Sequence, residues 1–200
     1  MKHPSIRRLF AHWNERRGRR PAPERSEIDP AELRHALGDI FMLAADFADE
    51  LRFRLAGTRV CTLFCREIKG EAFAALWSDS SLATAARLTA AVVDEAEGAF
   101  AELAGHTADG SEAELEMLVL PLAHAGQARI RALGALVPVV PPYWLGEKPI
   151  AEIEFRAVRP LQLTPAGHPA HLAALPDRPR SRHGFVVYSG GRAAVPEQGG

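Results

Sequence analysis

Ile6, Leu9, Phe10 and Trp13 fall at i, i+3, i+4 and i+7, the spacing of one helix face. Arginines fill the remaining arc, Ser5 is the expected N-cap, and Gly18 with Pro21 and Pro23 ends the element. A second start signal follows in Ile28-Asp29-Pro30-Ala31-Glu32-Leu33. Asp29 as N-cap, Pro30 at the first helical position, Glu32 closing a capping box and an Ile28–Leu33 staple predict a helix over 29–37, ended by Gly38. The apolar run from Ile40 to Phe47 predicts a strand covered on both faces. Leu51-Arg52-Phe53-Arg54-Leu55 alternates strictly, which points Leu51, Phe53 and Leu55 inward and both arginines outward. The two strands are expected to form a hairpin around Ala48–Glu50.

Thr58 opens a short helix carrying Val60, Cys61, Leu63 and Phe64, and Gly70 marks a turn before another short helical piece ending near Trp77. Ser80 and Ser81 cap a longer helix that runs to about Glu97, with Leu82, Ala85, Leu88, Ala91 and Val92 as its buried stripe and Gly98 as its end. Three strands follow over 99–108, 113–123 and 128–140, separated by turns at Asp109-Gly110 and Ala125-Gly126. Segregated strands and helices predict an α+β fold around an antiparallel five-stranded sheet, with helices on one face and the N-terminal helix flanking it. Residues 1–28 form the amphipathic helix and basic linker, 29–160 the domain, and 161–200 a Pro/Gly-rich tail with one β-like run, Phe185–Tyr188.

The 200 residues are 47% hydrophobic and 24% charged, a globular balance large enough to build a core without disulfide or metal. The only cysteines, Cys61 and Cys65, form no framework and favour a reducing compartment. The N-terminus has no apolar h-region, and the longest apolar run, 132–140, is too short to span a bilayer. A cytoplasmic setting is expected. Net charge is −1, but residues 1–25 carry +6 and residues 71–120 carry −9. A basic arm can contact nucleic acid or an anionic membrane. The overall balance instead favours an arm solvated or held by the chain's own acidic half, so nucleic acid is not the expected partner.

Several segments together resemble a PAS family of small proteobacterial regulatory proteins. They are the aromatic and arginine-rich Trp13–Arg20, Ile28-Asp29-Pro30, and Arg54-Leu55-Ala56-Gly57-Thr58. With them go Leu63-Phe64-Cys65-Arg66-Glu67-Ile68-Lys69-Gly70, Leu120-Pro121-Leu122 and the terminal 185–191. Cys65 departs from the pattern, which has Gly there. The resemblance implies a sensory or protein-interaction module and specifies no ligand.

Candidate chemistry is sparse. Cys65-Arg66 is similar to the flavin-adduct segment of light-oxygen-voltage photoreceptors, yet the amides that would hold a flavin are missing: the one Asn is Asn14, and no Gln follows Cys65 before Gln127. His35, His106 and His124 make weak haem ligands. His168, His171 and His183 lack fixed geometry for metal. Ser78, Ser80 and Ser81 read as caps, and no nucleophile elbow, Walker sequence or dinucleotide turn is present. No cofactor, metal or catalytic residue is expected. The chain leaves no room for a kinase, cyclase or phosphodiesterase segment, so output is expected to pass through association with protein partners. Ile6, Leu9, Phe10 and Trp13 are the expected interface, most simply of a homodimer. Phe41, Leu43, Phe53, Leu55, Phe64, Trp77, Leu88, Leu118 and Leu120 are expected between sheet and helices, as a filled core or around a small apolar ligand.

Overall fold

In the computed structural model, residues 1–45, 50–123 and 130–161 are described; of Ile130 and Arg131 only the backbone is. All belong to the unit Met1–His168, while the second unit, Pro169–Gly200, lies outside the described residues. Among the described residues three α-helices, α1 (Pro4–Arg17), α2 (Thr58–Leu63) and α3 (Asp79–Asp94), accompany six strands. These are β1 (Ile40–Ala45), β2 (Leu51–Ala56), β3 (Ala99–Thr107), β4 (Glu112–Pro121), β5 (Ile130–Pro138) and β6 (Ile150–Pro160). They form one antiparallel sheet in the order β2-β1-β5-β4-β3-β6. The α+β class and the antiparallel sheet agree with expectation, but the sheet has six strands rather than five. β6 runs along the free side of β3, with Ala99 opposite Pro160 and Thr107 opposite Ile150. Bulges between Glu102/Leu103 and His106/Thr107 disturb its alternation, which hides it in the sequence.

The sheet is apolar on both faces. One face holds Leu103, Leu115, Met117 and Val119, packed with Val60 and Leu63 of α2, Phe73 and Leu76 of a 3-10 helix (Phe73–Leu76), and Ala85, Leu88 and Val92 of α3. The other holds Leu118, Leu120, Leu133, Ala135 and Val137, packed with Ile6, Leu9 and Trp13 of α1. α3 buries Ser81 rather than Leu82 at the start of its stripe, since it begins at Asp79 with Ser78 as N-cap. Leu82 is exposed and Ala91 only half-buried.

α1 starts slightly earlier than expected. His3, not Ser5, is its N-cap and accepts from the Ser5 N–H through Nδ1. Gly18, at φ +57, closes it. The helix expected over 29–37 does not form. Asp29 does cap, accepting the Ala31 N–H at 2.8 Å, but the chain then makes i→i+3 bonds from Leu33 to Pro30 and from Ala36 to Leu33 and ends in a 3-10 helix, Leu37–Asp39. Glu32, expected to complete the capping box, turns instead to His12 and Arg16 on α1. That pairing draws the carboxylate away from the local backbone and keeps the segment as turns. Of the hairpin turn expected around Ala48–Glu50, residues 48 and 49 lie outside the described residues, as do the Ala125-Gly126 turn and the 185–188 run.

Candidate functional site

The helix-covered face of the sheet gathers a chain of aromatic rings. Phe41 meets Phe53 edge-on at 5.6 Å and Phe73 at 6.2 Å, and Phe53 lies 5.8 Å from Phe73. Phe73 meets Trp77 edge-on at 5.4 Å, and Trp77 stacks on Phe155 at 4.2 Å with the planes 4° apart. Offset and edge contacts of this kind add to burial itself. Six of the nine residues expected around the interior are here: Phe41, Leu43, Phe53, Phe64, Trp77 and Leu88.

Leu55, Leu118 and Leu120 are not. Leu55 is 43% exposed. A bulge between Met42 and Leu43 sets Leu43 opposite Phe53 and Met42 opposite Leu55, so the alternation carried on from Phe53 breaks there. Leu118 and Leu120 sit on the α1 face. Their parity matches Glu112, Glu114 and Glu116 rather than Ala113, Leu115 and Met117, so period-2 counting already sends them across the sheet. The sequence reading also missed Phe73, which lies in a single short 3-10 helix, and Phe155, which belongs to the unforeseen β6.

The α1 face is fastened by buried charge. Glu116, 2% exposed, accepts the Lys2 N–H at 2.8 Å and the His3 N–H at 3.0 Å, placing a carboxylate at the positive end of α1. Buried Asp39 accepts the Ser5 hydroxyl at 2.5 Å and the Arg59 guanidinium at 2.6 and 2.8 Å. That pairing raises the Arg59 pKa. Trp13 Nε1 donates to Pro121 O at 2.7 Å. His12 accepts the Asp29 N–H through Nε2 at 3.3 Å, which leaves Nδ1 to donate to Glu32 at 2.9 Å. Ile6, Leu9 and Trp13 are buried by the chain's own sheet, and only Phe10 keeps part of its surface. The apolar face that pointed to a partner is therefore covered within the chain.

Part of the basic arm is tied to the chain, while Arg7, Arg8 and Arg19 stay exposed. Arg16 pairs with Glu32 and Arg20 with Glu27. Arg17 is buried under a 5.3 Å cation–π contact with Trp13, and burial lowers its pKa. The linker after α1 bonds to the chain just beyond β4, where the Ala123 N–H donates to Pro23 O at 2.7 Å.

Both cysteines are free. Burial, with Glu67 and Glu71 nearby, raises the Cys61 thiol pKa, the reverse of what a reactive thiolate needs. His106 lies between Glu112 at 3.9 Å and Glu154 at 3.5 Å, and His35 accepts from Arg34. Among the described residues no three His, Cys, Asp or Glu are grouped to hold a metal ion, and no helix is long and apolar enough to cross a membrane. Gln127, His124, His168, His171 and His183 lie outside the described residues.

A family model described as a PAS domain matches residues 1–137. Comparison with curated proteins finds no match. Among solved structures, the chain is similar to one described as "Flavin Analogue Sheds Light on Light-Oxygen-Voltage Domain Mechanism", at 15% identity over 55% of this chain and 83% of that one, with a TM-score of 0.45. It is similar also to the PAS domain of a protein from Colwellia psychrerythraea, at 15% identity over 56% of this chain and 98% of that one, with a TM-score of 0.40.

Proposed function

The chain belongs to the PAS domain family, whose members are sensory signalling domains, and from this premise we propose that it works without catalysis of its own, by associating with partner proteins. The observation that supports this is the double use of β4. Leu115, Met117 and Val119 face the aromatic cluster, while Glu116, Leu118 and Leu120 face α1. A change in packing on one face reaches the helix on the other through a single strand. α1 is the element through which such a change becomes visible to a partner. Because its apolar side is occupied, self-association through Ile6, Leu9, Phe10 and Trp13 requires α1 to leave its own sheet and dock on another. The two free thiols fit a reducing, cytoplasmic setting.

The test is light scattering on the full chain across a concentration series, with hydrogen exchange on the same samples. Dimerisation with altered protection in α1 supports exchange of this helix. Dimerisation with α1 protection unchanged puts the contact on another surface. A monomer at every concentration removes the homodimer and leaves association with a different protein.

A second reading has its own support. The rings from Phe41 to Phe155 pack into one apolar cluster on the helix-covered face, and in this reading a small ligand enters by repacking that cluster and so alters partner binding. Mass spectrometry under native conditions tests it: a stoichiometric mass increment supports a resident ligand.

A further inference from the structure

Trp77 is 6% exposed, and its Nε1 has no hydrogen-bond partner. Leaving a buried donor unpaired carries a desolvation penalty, and buried indole N–H groups ordinarily find an acceptor. Trp13 has one in Pro121 O. The Trp77 side chain is packed against two other rings. Its ring lies flat on Phe155 and edge-on to Phe73. Its backbone is pinned by a bridge to Ile153, continued by the Ser78 N–H bonded to Ile153 O at 3.0 Å. The Ser81 hydroxyl accepts the Phe155 N–H at 3.1 Å and fixes the other wall. The donor is thus held rigidly, at a junction between the corner before α3 and β6. β6 lies beyond residue 137, where the family match ends, so one wall of this junction falls outside the matched segment.

We infer that Trp77 Nε1 is the directional contact for a small, flat, apolar ligand carrying one hydrogen-bond acceptor, held at this junction. The inference rests on the receptor reading above. Ring walls supply contact area to a planar molecule but discriminate weakly among apolar rings. The unpaired N–H supplies the discrimination, because a ligand without an acceptor leaves it buried and unsatisfied.

Quinoline and naphthalene have the same shape and differ by one ring nitrogen acceptor. Both are titrated by ligand-observed NMR into the full chain and into Trp77→Phe, which keeps a ring and removes the donor. The expected result is that the ratio of quinoline to naphthalene affinity falls about tenfold in Trp77→Phe. Phe155→Leu, which keeps the donor and removes the stacking wall, is expected to weaken both probes and preserve the ratio. In the native chain, quinoline and not naphthalene is expected to shift the Trp77 indole N–H resonance, a readout that does not depend on any variant folding. Binding of both probes with an unchanged ratio and an unmoved indole resonance overturns the Trp77 contact while the receptor reading stands. Binding of neither probe overturns both.

Discussion

Two single residues show how local geometry decides what is tolerated. Cys65 has φ +51. It follows α2 where the Cys65 N–H bonds Thr62 O and the Arg66 N–H bonds Cys61 O, the pairing that closes a helix over a left-handed residue. Glycine is at ease there and a side chain is not, at about 1–2 kcal/mol. The resemblance read from the sequence led us to expect glycine at this place, with Cys65 as its departure. Cys65→Gly is expected to stabilise the fold by about 0.5–1 kcal/mol, once the extra freedom of glycine in the unfolded chain is set against the relief. A higher urea midpoint would show it. Gly57 has an ordinary φ of −70, so conformation does not explain it. Space does: a Cβ there would sit 2.2 Å from Leu37 O and 2.4 Å from Gly38 O. Backbone atoms cannot step aside, so Gly57→Ala is expected to cost at the upper end of about 1–3 kcal/mol, read from the same midpoint. The Gly-Thr pair was legible as a pattern in the sequence, but its cause lies in a distant turn, at Leu37 and Gly38, that no local reading reveals.

Among elements, α1 combines an apolar side with polar fastenings at its start. Glu116→Ala leaves the Lys2 and His3 N–H groups without their acceptor, a loss of about 1–3 kcal/mol. Hydrogen exchange in α1 is then expected to quicken while exchange in β4 and β5 stays slow. Equal quickening throughout would mean that α1 does not open as a separate unit. Glu116→Gln, which retains an acceptor oxygen, is expected to show a smaller change. α1 and β2 were readable from apolar spacing at their own period, and β1, β4 and β5 from apolar runs bounded by turn residues. The segment after Asp29 carried every local start signal of a helix and still became turns, because Glu32 found stronger partners in His12 and Arg16 across space. β6 failed for the opposite reason. Its inward residues, Ile150, Ile153, Phe155 and Val158, follow no constant period once two bulges intervene. The interior site was half legible: alternation located its strand residues, but neither the break at Leu55 nor the Phe155 wall could be counted from the chain.

At the scale of the whole molecule, β6 makes the matched segment incomplete by itself. It contributes Ile150 and Ile153, both buried, and Phe155, which closes the ring chain. Removing these three side chains from the core forfeits about 4–9 kcal/mol before entropy costs. A chain ending at residue 140 is therefore expected to lose cooperative thermal unfolding by circular dichroism, whereas one ending at 161 is expected to keep it. Acid sensitivity is also a property of the whole. Asp109 is held well below the usual carboxylate range, first by Lys148 and then by Thr107. Arg20, Arg16 and Arg66 lower Glu27, Glu32 and Glu71 in turn. Each folded-state pKa lies below its unfolded value of 3.8 or 4.5. Their contribution is therefore present above those values and lost as pH falls through the folded ones. Melting temperature is expected to hold above about pH 5 and to drop below it, and added salt is expected to shrink the difference because these pairs face water.

A strand that is apolar on both sides has little to stop it from sliding. Along β4, Leu115, Met117, Leu118, Val119 and Leu120 offer hydrocarbon to one face or the other, and Glu116 alone interrupts them. A slip of one residue exchanges the two faces of a strand. For β4 it would carry the Glu116 carboxylate away from the Lys2 and His3 N–H groups and into the rings around Phe73, where a charge is heavily penalised. Glu112 and Glu114, on the same side of the strand, would be carried over with it, so the alternating glutamates together oppose the slip, and Glu116→Leu removes the buried one of the three.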